Sequence, residues 1–231
     1  MDRILVATDF STRSDRALRR ATLISRRVGA SLTLAHVLDA DQPNRLIASK
    51  RAEALSLLEE TARTLRAGDD IAADPLVEVE DVHTGILDAA EKVGADLIIL
   101  GPHRSRLKDV FVGTTVERVV RRSRVPLLVA VQPPSASYER TLLALDFDEA
   151  SKSAARAALE MGIFENTEVV VMHAFEAPAE GMLRRAMETR GAIDDYVAGE
   201  RSRAAERLHG LVGELGLPPS HHRIAAIEGT P

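Results

Sequence analysis

The 231-residue chain has no cysteine and no tryptophan, and aromatic residues make up only 3% of it. The lack of cysteine excludes disulfides, thiolate metal sites and cysteine nucleophiles, and fits a reducing cytoplasm, the expected location. The few aromatics leave the core to Leu, Val, Ile and Ala. They also argue against a single-stranded nucleic-acid platform, which stacks bases on Phe, Tyr or Trp. Positive charge is not in excess: 30 Lys and Arg stand against 35 Asp and Glu, a net charge of −5. Neither nucleic acid nor an anionic membrane is therefore an expected partner. Long apolar runs are missing as well, and those present are strand length, too short to span a bilayer. Met1 runs through Arg3-Ile4-Leu5-Val6-Ala7 straight to Asp9, unlike the longer acid-free stretch of a signal peptide.

With 45% hydrophobic and 28% charged residues, the composition is that of a globular chain rather than a disordered one. At roughly 100–200 residues per domain, the length predicts one large or two small domains.

Short apolar runs alternate with helical periodicity. Ile4–Ala7, Leu32–Val37, Asp96–Leu100 and Pro126–Val131 read as buried strands, and Leu76–Val82 as a strand exposed on one face. Between them, Ala17, Leu18, Ala21, Ile24 and Val28 mark a helix that Ser11 or Ser14 is placed to cap and Gly29 to end. A long helix is predicted over Asn44–Arg66 with Gly68 beyond its end, a short one over Ile86–Val93, and another opening at Gly113-Thr114-Thr115 and running from Val116 to Arg122. Strands alternating with helices imply βαβ units and a parallel sheet covered on both faces.

The pattern then restarts. Arg140-Thr141-Leu142-Leu143-Ala144-Leu145-Asp146-Phe147 mirrors Arg3-Ile4-Leu5-Val6-Ala7-Thr8-Asp9-Phe10 at an offset of 137 residues. The same offset takes Ser14 to Ser151, Ala17 to Ala154, Ala21 to Ala158 and His36 to His173, which marks an internal duplication. The expected organisation is a domain over 1–131, a Pro- and Ser-rich linker over 132–137 and a second domain over 138–231. The second copy continues with a strand at Glu168–Ala174, a helical stretch from Met182 to Leu215 and a strand at Arg223–Ile227. Matching Ile227 to Val82 leaves no equivalent of Leu87–Val131, so the second copy reads as incomplete, about three fifths of a domain.

In parallel α/β sheets ligands sit beyond the carboxyl ends of the strands. Ala7-Thr8-Asp9, Val37 and Gly101 with the following loop to Gly113-Thr114-Thr115 are delivered there. Glycine admits close backbone approach to a phosphate, and a helix N-terminus offers free N–H groups.

Four stretches together resemble the universal stress protein family: Val6-Ala7-Thr8-Asp9-Phe10-Ser11, Gly94–Gly101, the helix start Gly113-Thr114-Thr115-Val116-Glu117-Arg118-Val119-Val120, and Pro126-Leu127-Leu128-Val129. The resemblance spans Met1–Val131 and, more thinly, Ser137–Pro231. It implies a Rossmann-like five-stranded parallel sheet of order 3-2-1-4-5 with helices on both faces. It also implies an adenine nucleotide such as ATP in the first domain, held by Ala7, Thr8, Asp9, Val37, Gly101, Arg104, Gly113, Thr114 and Thr115. Members of the family that bind ATP do so through Gly-x-x-Gly, nine residues, then Gly-Ser or Gly-Thr; Gly101 and Gly113-Thr114 match this, but the second glycine position holds Arg104. Only eight residues, Ser105–Val112, then precede Gly113, one fewer than the family pattern. An arginine there blocks the ordinary phosphate pose or replaces its amide contacts with a guanidinium.

Simpler roles are assigned to the remaining polar residues. Asp9 and Asp146 read as loop carboxylates that cap a helix or meet a ribose, and His36 and His173 as hydrogen-bonded structural histidines. His83-Thr84-Gly85 reads as a turn before a helix, Arg121-Arg122-Ser123-Arg124 as a charged helix end, and His221-His222 as neighbours on opposite strand faces. His103, Arg104, Arg106 and Lys108 form a basic loop. No Ser-His-Asp set, carboxylate pair or metal-ligand spacing points to a reaction or a metal site.

The expected function is that of a stress-response regulator of the universal stress type rather than an enzyme, with an unidentified regulatory protein partner. Two alternatives are a nucleotide-independent dimerisation or protein-binding module, and a nucleotide-using transferase with His103 or Lys108 over the phosphates. The apolar fifth strand lies at the sheet edge, so a homodimer through Pro126–Val131 is expected.

Overall fold

Ile4, Leu5 and Val6 are each 0–1% exposed, the signature of a strand covered on both faces. In the computed structural model they form the centre of β1 (Arg3–Ala7). Residues 1–102, 115–134, 138–165, 167–186, 189–217 and 222–229 are described. The chain divides into two units, Met1–Ala136 and Ser137–Pro231.

The first unit runs β1, α1 (Ser14–Val28), β2 (Ser31–Leu38), α2 (Asn44–Asp69), β3 (Ala73–Val79), α3 (Val82–Val93), β4 (Leu97–Leu100), α4 (Thr115–Arg122) and β5 (Leu127–Val129). Its five strands are parallel in the order β3-β2-β1-β4-β5, the expected 3-2-1-4-5. Helices cover both faces: α1 and α2 pack together over β1, β2 and β3, and α3 pairs with α4 over β1 and β2. Beneath α3 and α4, Leu5, Ala35, Ile98 and Leu100 meet Ile86, Ala89, Ala90, Val116 and Val119 in one apolar cluster. The amino end of β1 is fixed by Asp96, whose carboxylate accepts from the N–H groups of Asp2 at 2.7 Å and Arg3 at 3.0 Å.

The second unit runs β6 (Arg140–Ala144), α5 (Glu149–Glu160), β7 (Glu168–Phe175), α6 (Glu180–Arg185), α7 (Arg190–Leu215) and β8 (His222–Glu228), with a three-stranded parallel sheet ordered β6-β7-β8. Arg3 pairs with Ser31 and Arg140 with Glu168, so the offset of 137 holds in the strand register. On one face, Val169 and Val171 pack against Leu208, Leu211, Val212 and Leu215 of α7. On the other, Leu142 is 61% exposed and Ile227 50%, whereas Leu5, the counterpart of Leu142, is fully buried.

Several sequence boundaries are corrected. The third strand is not Leu76–Val82 but Ala73–Val79; Pro75 sits within it, opposite Leu34, because β3 is an edge strand that needs no second set of ladder bonds. Gly68 does not end α2. The helix continues to Asp69, and Asp70 at φ 54° takes the left-handed position. His83-Thr84-Gly85 is not a turn but the first turn of α3, which starts at Val82 because the Asp81 side chain caps it by accepting from His83 N–H at 3.1 Å. The helical stretch predicted from Met182 is two helices, α6 and α7. Leu38 pairs with Val79 and Phe175 with Glu228, so Ile227 corresponds to Glu78 rather than Val82. Neither Ser11 nor Ser14 occupies the N-cap of α1; Arg13 does, without a side-chain cap.

Among the described residues, no helix is long and apolar enough to cross a membrane, and no three His, Asp or Glu residues are grouped to hold a metal ion.

Candidate functional site

The loop leaving β1 is ordered by its own short polar side chains. Asp9 Oδ1 accepts from the Ser11 N–H at 3.0 Å and the Ser11 hydroxyl at 2.5 Å, closing a turn two residues long. A relay runs beside it. The Phe10 N–H donates to Thr8 Oγ1 at 3.0 Å, Thr8 Oγ1 lies 2.9 Å from Ser14 Oγ, and Ser14 Oγ donates to the Ser11 carbonyl at 2.9 Å. The one proton on Ser14 Oγ is committed to Ser11, so Thr8 must donate to Ser14.

This turn holds Phe10 in the left-handed region, at φ 58°, a conformation that bulky side chains avoid. Its ring lies 4.6 Å from that of His36. His36 Nδ1 is 2.8 Å from the Thr8 carbonyl oxygen; a carbonyl only accepts, so Nδ1 carries the proton. His36 is thus a latch between β2 and the loop, in agreement with its structural assignment from sequence. For Asp9, partial burial works to raise the pKa, and the two hydrogen bonds from Ser11 with the nearby Arg13 charge outweigh it, leaving the carboxyl below its ordinary value.

Gly101 ends β4 under the first turn of α1. A Cβ there would stand 2.6 Å from the Arg13 carbonyl oxygen and 3.1 Å from Ser14 Cα. Both are backbone atoms, so only glycine lets β4 and α1 approach this closely.

These elements surround a cavity of about 500 Å³ at the carboxyl ends of β1, β2 and β4, within the range of small-ligand sites. Its lining is polar in part, with Thr8, Asp9, Ser11, Arg13, Ser14 and Thr115, and apolar in part, with Val37, Val82, Ile86, Leu100 and Val116. Of the residues singled out from sequence, Ala7, Thr8, Asp9, Val37, Gly101 and Thr115 all line this one space. Arg104, Gly113 and Thr114, with His103, Arg106 and Lys108, lie outside the described residues, as does His221. Sequence reasoning missed Val82 and Ile86. The available signal was Asp81, a good cap just before the apolar Val82.

His83 lies beside the site rather than in it. It pairs with Asp81 through Nδ1, and Arg122 Nη1 is 3.0 Å from its Nε2, tying α3 to α4. Arg121, the neighbour of Arg122, pairs with Glu117 at 2.9 Å, so the basic end of α4 is engaged within the fold.

The second unit repeats part of this arrangement. His173 Nδ1 is 2.8 Å from the Leu145 carbonyl oxygen, and its ring is 4.2 Å from that of Phe147. The surroundings differ: the Arg207 guanidinium sits 3.9 Å over the Phe147 ring, and Asp146 Oδ1 accepts from the Phe147 N–H at 2.8 Å.

Comparison with known proteins places the chain in a family. A universal stress protein of Methanocaldococcus jannaschii is 26% identical over 153 residues, covering 55% of this chain and 93% of the relative. The crystal structure of a universal stress protein from Archaeoglobus fulgidus matches with a TM-score of 0.65 at 20% identity, covering 99% of this chain and 79% of its own, a likeness of fold. Another solved universal stress protein, 24% identical with a TM-score of 0.46 over 58% of this chain and 98% of its own, is in complex with cAMP. Residues 1–131 match the model of the universal stress protein family, and the chain belongs to that family.

Proposed function

We propose that the cavity above β1, β2 and β4 is an adenine-nucleotide site and that the chain is a nucleotide-responsive stress regulator of the cytoplasm, acting on a protein partner rather than as an enzyme. The observation that carries this reading is the convergence of apolar and hydroxyl-bearing side chains on one space of about 500 Å³. The residues fit the group. Val37, Val82 and Ile86 offer an apolar surface for a base, and Asp9, anionic, suits a sugar hydroxyl rather than a phosphate. Thr115 at the start of α4, with Gly113, Thr114 and Arg104 before it, would meet the phosphates. The second unit binds none in this proposal, since Arg207 already covers the Phe147 ring.

The test is titration of the full chain with ATP and, in competition, with cAMP. Saturation at one nucleotide per chain and loss of binding in Gly113→Asp support the reading. Unchanged affinity in Gly113→Asp overturns the site, and two nucleotides per chain overturn the silent second unit. Arg104 in place of the family's glycine favours a second reading, a module that dimerises without nucleotide; recovery of the protein with no ATP, ADP or AMP attached, and none bound on titration, selects it.

A further inference from the structure

Glycine is a poor helix residue, yet Gly85 is buried in the first turn of α3. A Cβ on Gly85 would stand 2.6 Å from Val37 Cγ1, 3.2 Å from Val37 Cγ2 and 3.4 Å from Glu80 Cβ. By contrast, Gly68, Gly191, Gly210 and Gly213, also within helices, have nothing within 4 Å of such an atom. Among the described helical glycines, so close an approach is particular to Gly85. Valine is branched at Cβ and stiff about χ1, and both its γ-methyls face the glycine, so Val37 has no easy rotation away from an added methyl.

The consequence reaches the cavity from both sides of the contact. Val37 lines it from β2, and Val82 and Ile86, three residues before and one after Gly85, line it from α3. An alanine at 85 must push Val37 into the cavity or lift the first turn of α3 off the sheet, and either movement displaces the apolar wall. Taking the cavity as a nucleotide site, we infer that Gly85 is a positioning residue. It draws α3 onto β2 so that Val37, Val82 and Ile86 form a wall with room for a flat two-ring base.

The experiment compares ATP affinity in the wild type, Gly85→Ala, Val37→Ala and the double variant, at a temperature where circular dichroism shows each folded. Gly85→Ala is expected to weaken ATP binding by about ten-fold or more. Adding Val37→Ala, which removes the colliding methyls, is expected to recover a large part of that loss, a coupling that independent sites do not show. If Gly85→Ala does not fold, Val37→Ile crowds the same contact from the strand and is expected to weaken ATP in its place. Wild-type affinity in the single variant, or no recovery in the double variant, overturns the inference while leaving the site itself standing. A wild-type chain that binds no nucleotide overturns the reading of the cavity and this inference with it.

Discussion

The rings of Phe10 and His36 lie 4.6 Å apart, and the same pairing recurs 137 residues later between Phe147 and His173 at 4.2 Å. In both places the histidine also holds the backbone carbonyl that ends the neighbouring strand's ladder, Thr8 or Leu145, at 2.8 Å. The imidazole therefore clamps the loop after the first strand of each unit. His36→Ala and His173→Ala are each expected to cost about 1 kcal/mol for the lost hydrogen bond, with further loss from ring packing. Urea unfolding of each variant measures this; midpoints equal to wild type would remove the clamp.

Asp9 titrates below its ordinary value because the hydrogen bonds from Ser11 and the Arg13 charge outweigh partial burial. A carboxyl with a depressed folded pKa stabilises the fold above its unfolded pKa, here near 3.8, and that contribution is lost as pH falls through the lower folded value. Asp96 behaves alike, chiefly through the hydrogen bond from the Asp2 N–H. Asp9→Asn and Asp96→Asn are therefore expected to flatten the fall in stability between about pH 5 and pH 2. Denaturant midpoints across that range check it, and an unchanged slope would contradict it.

At the far edge of the first sheet, β5 pairs, among the described residues, only with β4. Its three residues are half-buried, and Val131 beyond them is 51% exposed. We propose a two-fold homodimer through Pro126–Val131, since an apolar edge strand is open to pairing with its copy. Light scattering should give about twice 25.1 kDa, with Val129→Lys shifting it toward the single-chain mass. A single-chain mass at all concentrations refutes the dimer.

Matched positions also separate the two units energetically. Leu5 is fully buried under α3, whereas Leu142 is 61% exposed. Leu5→Ala should cost about 2–5 kcal/mol and Leu142→Ala no more than about 0.5 kcal/mol. Equal costs in chemical denaturation would mean that Leu142 is covered in solution.

The first unit's alternation of strands and helices was legible in the sequence because β1 and β4 are short runs apolar on both faces, whereas the strand order followed only from the family resemblance. The offset of 137 was legible because Asp9, Phe10 and His36 recur as a set. The boundaries of α3 and β3 were not. Val82-His83-Thr84-Gly85 is a weak helix sequence that folds helically because Asp81 caps it and because Gly85 lets it press onto Val37, a contact made across the fold. Pro75 reads as a strand breaker until β3 is known to lie at an edge. The misplaced start of α3 hid part of the apolar lining of the candidate site, since Val82 enters the cavity from a helix that begins at 82.

The exposed face of the second sheet has a further consequence. Apolar groups such as Leu142 and Ile227 are held in water by a chain whose net charge is only −5. Salts such as sulfate raise the cost of wetting those groups while screening the repulsion that keeps copies apart. The protein's solubility should therefore fall steeply with added sulfate, and replacing Leu142 with a lysine should move the precipitation point to higher salt.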